Sequence, residues 1–194
     1  MRSGILGGTF DPPHCGHLQL AARSHEALEL DRVLFIPSFR PPHKLAEELS
    51  PFDVRWEMLR AAIDGRPAFV ALDLERRRGG VSYTVDTLLD LGARFPEDRF
   101  WLLLGGDSLA DLSEWKDPER ITALARIAVY PRGERTGPLP SFLAGRVDRV
   151  EGPLIEVSSS EIRRRVGAGE SLCHLMPAAV ERIVKERGLY RRAR

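Results

Sequence analysis

The stretch Gly7-Gly8-Thr9-Phe10-Asp11-Pro12-Pro13-His14-Cys15-Gly16-His17-Leu18 constrains this chain more than any other. Ile5 and Leu6 precede it as the end of a buried strand. Leu18, Ala21, Ala22, His25 and Leu28 follow it at the spacing of one helix face. The stretch is therefore a strand-to-helix turn. Paired glycines let an anion approach the backbone with no Cβ in the way. The new helix offers unpaired N–H groups and the positive end of its dipole. His14 and His17 stand three apart on the first turn, so both rings can face one ligand, and Gly16 leaves room between them. Turn glycines with two surface histidines are the plainer reading. The combination at one turn points instead to phosphate.

Further along, Arg32–Ile36 predicts a buried strand ended by Pro37. The loop after it, Ser38 to Ser50, carries Pro41-Pro42-His43-Lys44. Prolines fix an extended path, and ligands in open α/β sheets bind beyond the carboxyl ends of strands, which weighs for a ligand-facing Lys44 against the plainer reading of an exposed lysine on a mobile loop. Ser50 and Pro51 predict a helix start, with Ser50 as N-cap and with Phe52, Trp56, Leu59 and Ile63 on one face. Phe69–Leu72 predicts a third strand. Of Arg76, Arg77 and Arg78, at least two read as solvated loop. Ser82-Tyr83-Thr84 opens a helix with Val85, Leu88 and Leu89 on its apolar face, and its start is a second candidate anion site.

Phe100–Leu104 is a near-continuous apolar run, the mark of a central parallel strand covered on both faces. It runs into Gly105-Gly106-Asp107. Asp107 suits ribose hydroxyls or the N-cap of a short helix over 108–112. Trp115 suits stacking on a flat ring, or packing as a satellite of the core. Ile121–Leu124 predicts a short helix, Ile127–Tyr130 a fifth strand, and Pro131 to about Pro140 a surface loop. Short strands follow at Val147–Val150 and Leu154–Val157. Ser158, Ser159 and Ser160 cap the next helix, and Arg163 one turn on gives planar bidentate pairing to phosphate. The last helix starts at Pro177, packs through Val180, Ile183 and Val184, and stops at Gly188.

Strands alternating with helices predict an α/β fold with a doubly wound, Rossmann-like parallel sheet. At 194 residues this is one domain, 1–194, whose C-terminal helical part begins at about residue 158. The 29 basic and 28 acidic side chains give no push toward nucleic acid or membrane. The arginine-rich end (Arg187, Arg191, Arg192, Arg194) reads as a solvated terminus. Two cysteines make no disulfide framework and suit a reducing cytoplasm. No signal segment or membrane-length apolar run is visible.

Residues 8–17 match the Gly-x-Phe-x-x-x-His-x-Gly-His signature of the nucleotidylyltransferase superfamily. Residues 36–44, 82–88, 104–109, 157–163 and 188–190 extend the likeness, and the chain resembles bacterial nicotinate-nucleotide adenylyltransferases over nearly its whole length. The family often has a larger residue, such as Gln, where Gly106 stands. Its position 15 varies, which argues against Cys15 as a nucleophile. The resemblance implies transfer of an adenylyl group from ATP to nicotinic acid mononucleotide, with magnesium on the triphosphate and no dedicated protein cage for it. It implies that His14, His17 and Lys44 act on the phosphates. Gly8, Thr9, Phe10, Gly106, Asp107, Ser158, Ser159, Ser160 and Arg163 would bind ATP. Tyr83, Thr84, Trp115 and Arg132 would take the nicotinate nucleotide, with backbone N–H groups near Thr84 facing its carboxylate. The rivals are another transferase of the superfamily and a non-catalytic nucleotide-binding module on the same fold.

Overall fold

The computed structural model describes residues 1–42, 49–130, 141–153 and 157–191, and for Asp107 the backbone alone. Six strands form one parallel sheet: β1 (Arg2–Gly8), β2 (Arg32–Pro37), β3 (Phe69–Ala71), β4 (Arg99–Gly105), β5 (Arg126–Tyr130) and β6 (Val147–Arg149). Their order across the sheet is β3-β2-β1-β4-β5-β6. The chain thus winds outward in both directions from β1 and β4, and a crevice opens at the carboxyl ends of these two strands.

The helices are α1 (Cys15–Ala27), α2 (Phe52–Ile63), α3 (Leu74–Arg78), α4 (Thr84–Arg94), α5 (Gly106–Ala110), α6 (Pro118–Leu124), α7 (Ser159–Ala168) and α8 (Ala178–Glu186). Successive strand side chains point to opposite faces, which builds two apolar layers from the same strands. Leu6, Phe35 and Leu103 pack with Leu18 and Ala21 of α1, Met58 and Leu59 of α2, Ile162 of α7 and Ile183 of α8. Ile5, Leu34, Leu102 and Leu104 pack with Val85 and Leu88 of α4 and Ile121 of α6. This double burial is why β4 reads as an uninterrupted apolar run.

Several local expectations change. Ser50 does not cap α2; that position is Pro51, and Ser50 is drawn away by Asp11 and Tyr190. The buried face of α2 is Arg55, Met58, Leu59, Ala62 and Ile63, while Phe52 and Trp56 stack on each other at its edge. On α1, Ala22 faces out and Ser24 faces in. On α4, Leu89 is 43% exposed and Leu91 takes its place inside. The three arginines sit on α3 rather than in a loop. Arg76 pairs with Asp53, Arg77 with Asp73, and Arg78 bonds both Asp90 and Thr87. The short helix α5 starts at Gly106, so Asp107 lies inside its first turn and is not its N-cap. The expected 154–157 strand falls mostly outside the described residues.

Candidate active site

The motif turn closes β1 and starts α1, at the point where the strand order reverses. A cleft of about 760 Å³ opens there, lined by Gly8, Thr9, His14 and His17 on one wall and by Tyr83, Thr84 and Trp115 on another. A Cβ on Gly7 would meet nothing within 4 Å, and one on Gly8 would only touch the Phe10 ring at 3.5 Å. Packing within the protein therefore does not demand these glycines.

The two imidazoles stack, with centroids 3.7 Å apart and planes at 28°. His14 is buried, and the edge of Phe10 supports His17 at 4.9 Å. The backbone N–H of His14 donates to Nδ1 of His17 at 3.2 Å. A neutral imidazole that accepts at Nδ1 carries its proton on Nε2. His17 is thereby set as an N–H donor at the far edge of its ring. Phe10 itself is fully buried with φ of 50° and lies beneath the histidines rather than in the cleft wall.

Around the turn, carbonyl oxygens are held by long side chains from distant elements. Arg55, 2% exposed, donates through Nη1 to the carbonyls of Thr9 (2.8 Å) and Ser38 (2.9 Å), and through Nε to that of Ser50 (3.0 Å). Burial lowers its pKa from the ordinary value, and Asp11, Tyr190 and Glu75 oppose the shift. The buried Asp11 carboxylate accepts the Ser50 N–H at 3.0 Å and the Tyr190 hydroxyl at 2.5 Å. Burial, then the Asp11 charge, push the Tyr190 phenol well above its usual range. From α7, Ser159 donates to the Pro12 carbonyl at 2.9 Å and Arg163 to the Asp11 carbonyl at 2.8 Å. Ser158 caps α7 by accepting the Glu161 N–H, and its hydroxyl meets that of Ser160 at 3.1 Å.

Ser159 and Arg163 thus reach the motif turn, but through its carbonyls, and the serine cluster does not line the cleft. Gly106 starts α5 next to the cleft residue Gly105. The side chain of Asp107, and Lys44 and Arg132 entirely, lie outside the described residues. Just after β2, Phe39 and Arg40 are anchored. Ser82 Oγ accepts from the N–H groups of Phe39 and Arg40, and the buried Glu75 accepts from Phe39 N–H and Thr87 Oγ1. Trp115 packs as a satellite of the apolar layer beneath α4 and also lines the cleft. Burial raises the Cys15 thiol pKa, with Arg66 partly opposing, so the thiolate nucleophile is disfavoured. Arg55, Asp11 and Glu75 were not predicted as site-builders. A lone arginine or aspartate in an amphipathic pattern reads as surface, and only the fold shows them buried.

A family model described as cytidylyltransferase-like matches residues 5–165. Curated relatives named "Probable nicotinate-nucleotide adenylyltransferase" align end to end. The relative from Geotalea daltonii is 41% identical over 98% of both chains. The relative from Thermus thermophilus is 40% identical over 98% of this chain and 100% of its own. The chain belongs to the nicotinate-nucleotide adenylyltransferase family. A solved structure with the same fold is Plasmodium falciparum nicotinic acid mononucleotide adenylyltransferase complexed with NaAD, with a TM-score of 0.82 at 19% identity over 97% of each chain. The family's histidine signature thus falls in this chain on the stacked pair at the sheet's switch point.

Proposed function

We propose that this chain transfers the adenylyl group of ATP to nicotinic acid mononucleotide, giving nicotinic acid adenine dinucleotide and pyrophosphate in NAD biosynthesis. The observation that carries the reading is the stacked His14–His17 pair, its donor set by a backbone bond, at the mouth of the β1/β4 crevice. A mononucleotide phosphate oxygen bonds to the α-phosphorus of ATP as the bond to the bridging oxygen of pyrophosphate breaks. The nucleophile is already an anion and needs no general base. Rate then comes from alignment and from donors aimed at the developing charge.

In this reading His17 Nε2–H serves the α-phosphate, and His14 and Lys44 serve the neighbouring phosphates. Gly8 and Thr9 admit the triphosphate against the backbone, with Phe10 supporting them from below. Gly106, Asp107 and the remaining donors of Arg163 hold the rest of ATP, while Ser158 and Ser160, outside the cleft lining, start the helix that carries Arg163. Ser159 acts by fixing the Pro12 carbonyl. Tyr83, Thr84 and Trp115, with Arg132, receive the nicotinate nucleotide. Among the described residues no three His, Cys, Asp or Glu side chains converge as a metal cage. A magnesium ion carried by triphosphate and water suits that donor set, and it neutralises phosphate charge. We read residues 1–194 as one catalytic unit, with α7 and α8 as its C-terminal helical part. We place it in the cytoplasm, where its two free cysteines stay reduced. Among the described residues no helix is long and apolar enough to cross a membrane.

The test is pyrophosphate release from ATP and magnesium, with nicotinic acid mononucleotide, nicotinamide mononucleotide, phosphopantetheine and FMN offered separately. Release with the first acceptor is expected. Release with phosphopantetheine or FMN alone overturns the acceptor. Silence with all four from a folded, ATP-binding protein leaves the regulatory module.

A further inference from the structure

The cleft has an electrostatic asymmetry that the phosphate chemistry does not use. Glu75, Asp111 and Glu114 line it, and the Glu75 oxygens are already taken by Phe39 N–H and Thr87 Oγ1. Among the described lining residues, Lys116 is the one lysine or arginine. Lys116 follows Trp115 directly, so one turn delivers both a flat ring and a cation. Its Nζ lies 4.6 Å from the centroid of the Tyr83 ring. It also lies 3.2 Å from an Asp86 carboxylate oxygen on the first turn of α4. The ring face and the carboxylate hold the ammonium in place. Its three N–H donors leave capacity for a further oxygen while the Asp86 bond persists.

Resting on the functional reading above, we propose that Lys116 is a specificity-determining cation of the acceptor pocket. It selects a mononucleotide whose pyridine ring bears a carboxylate over one whose ring bears a carboxamide. The acid gains an opposite charge beside Tyr83. The amide, being neutral, gains only a dipole contact. Without Lys116 the acid would lose one opposite charge beside Tyr83, whereas the amide would lose only a dipole contact. Lys116 then adds an attractive charge that favours the acid and does little for the amide. Asp86 is the counter-ion that keeps the side chain over the ring.

The experiment measures kcat/KM for nicotinic acid mononucleotide and nicotinamide mononucleotide in wild type, Lys116→Arg, Lys116→Met and Lys116→Glu, at low and high salt. Lys116→Arg is expected to keep the preference for the acid. Lys116→Met should lower the acid-to-amide ratio by about three- to tenfold, through the KM for the acid. Lys116→Glu should lower it further, with the acid losing more than the amide in both Lys116→Met and Lys116→Glu. Added salt should erode the ratio in wild type but not in Lys116→Met. A wild-type ratio retained in both Lys116→Met and Lys116→Glu overturns the assignment and leaves the transferase reading intact. A wild type that turns over neither mononucleotide overturns the transferase reading itself.

Discussion

The His14 backbone N–H donates to His17 Nδ1 across 3.2 Å, so one residue of the motif sets the proton position on the other. The bond needs the helical offset of three residues and a backbone that has not yet entered the helix at His14, whose φ and ψ are −139° and 170°. His17→Ala removes a preorganised donor. We expect turnover to fall on the order of 10²–10³-fold. Steady-state pyrophosphate release, with a circular dichroism spectrum to show folding, checks this, and near-normal turnover would remove His17 from the chemistry.

Arg55 is the buried hub of the site, tying the Thr9, Ser38 and Ser50 carbonyls together. Arg55→Met keeps much of the volume but strands three carbonyl acceptors and the charge of Asp11. The expected loss is on the order of 3–5 kcal/mol in urea unfolding. Arg55→Lys should recover part of it, since an ammonium lacks the fork that spans three acceptors. A stability unchanged in Arg55→Met would contradict the burial of the guanidinium.

Tyr190 reaches back from beyond α8 to Asp11, 179 positions away in the chain. Tyr190→Phe should cost about 1–2 kcal/mol. The phenol pKa is raised in the folded state, so the stabilisation is complete below the ordinary tyrosine pKa of about 10 and is lost as pH rises above it. Wild-type stability should therefore fall more steeply above pH ~10 than that of Tyr190→Phe. Parallel curves from denaturant titrations at several pH values would sink this account.

Gly152 packs flat on Tyr130, whose hydroxyl donates to the Pro153 carbonyl at 2.5 Å. A Cβ there would come within 2.7 Å of the buried Tyr130 ring. Gly152→Ala should destabilise by about 1–3 kcal/mol through overpacking. Because Tyr130 also lines the cleft, KM for ATP should rise as well. A thermal midpoint equal to wild type would show that the segment simply moves aside.

Much of the architecture was legible in the residues because it rests on local periodicity. The apolar run of β4, the glycine turn after β1 and the spacing of α8 each state their own surroundings. The strand-to-helix turn at 7–18 and the serine start of α7 were legible for the same reason. Where a neighbour competes for a side chain, local rules fail. Ser50 gives up the helix cap because the Asp11 carboxylate and the Tyr190 hydroxyl lie within reach. Leu89 is surface and Leu91 is core because the sheet meets α4 along a face rotated from the expected one.

By itself the sequence determined an α/β chain with a glycine-histidine turn between its first strand and helix, since both follow from residue spacing along a few turns of backbone. Only the tertiary structure decided what holds that turn and what charges its cleft. Arg55, Asp11, Tyr190 and Arg163 are polar residues on separate elements, and nothing near them in the chain states that their partners are backbone carbonyls or one another. Their pairing, like the placing of Lys116 over Tyr83, is a product of which helices the sheet brings together. Such long-range pairings carry no periodic signal, so the fold alone reveals them.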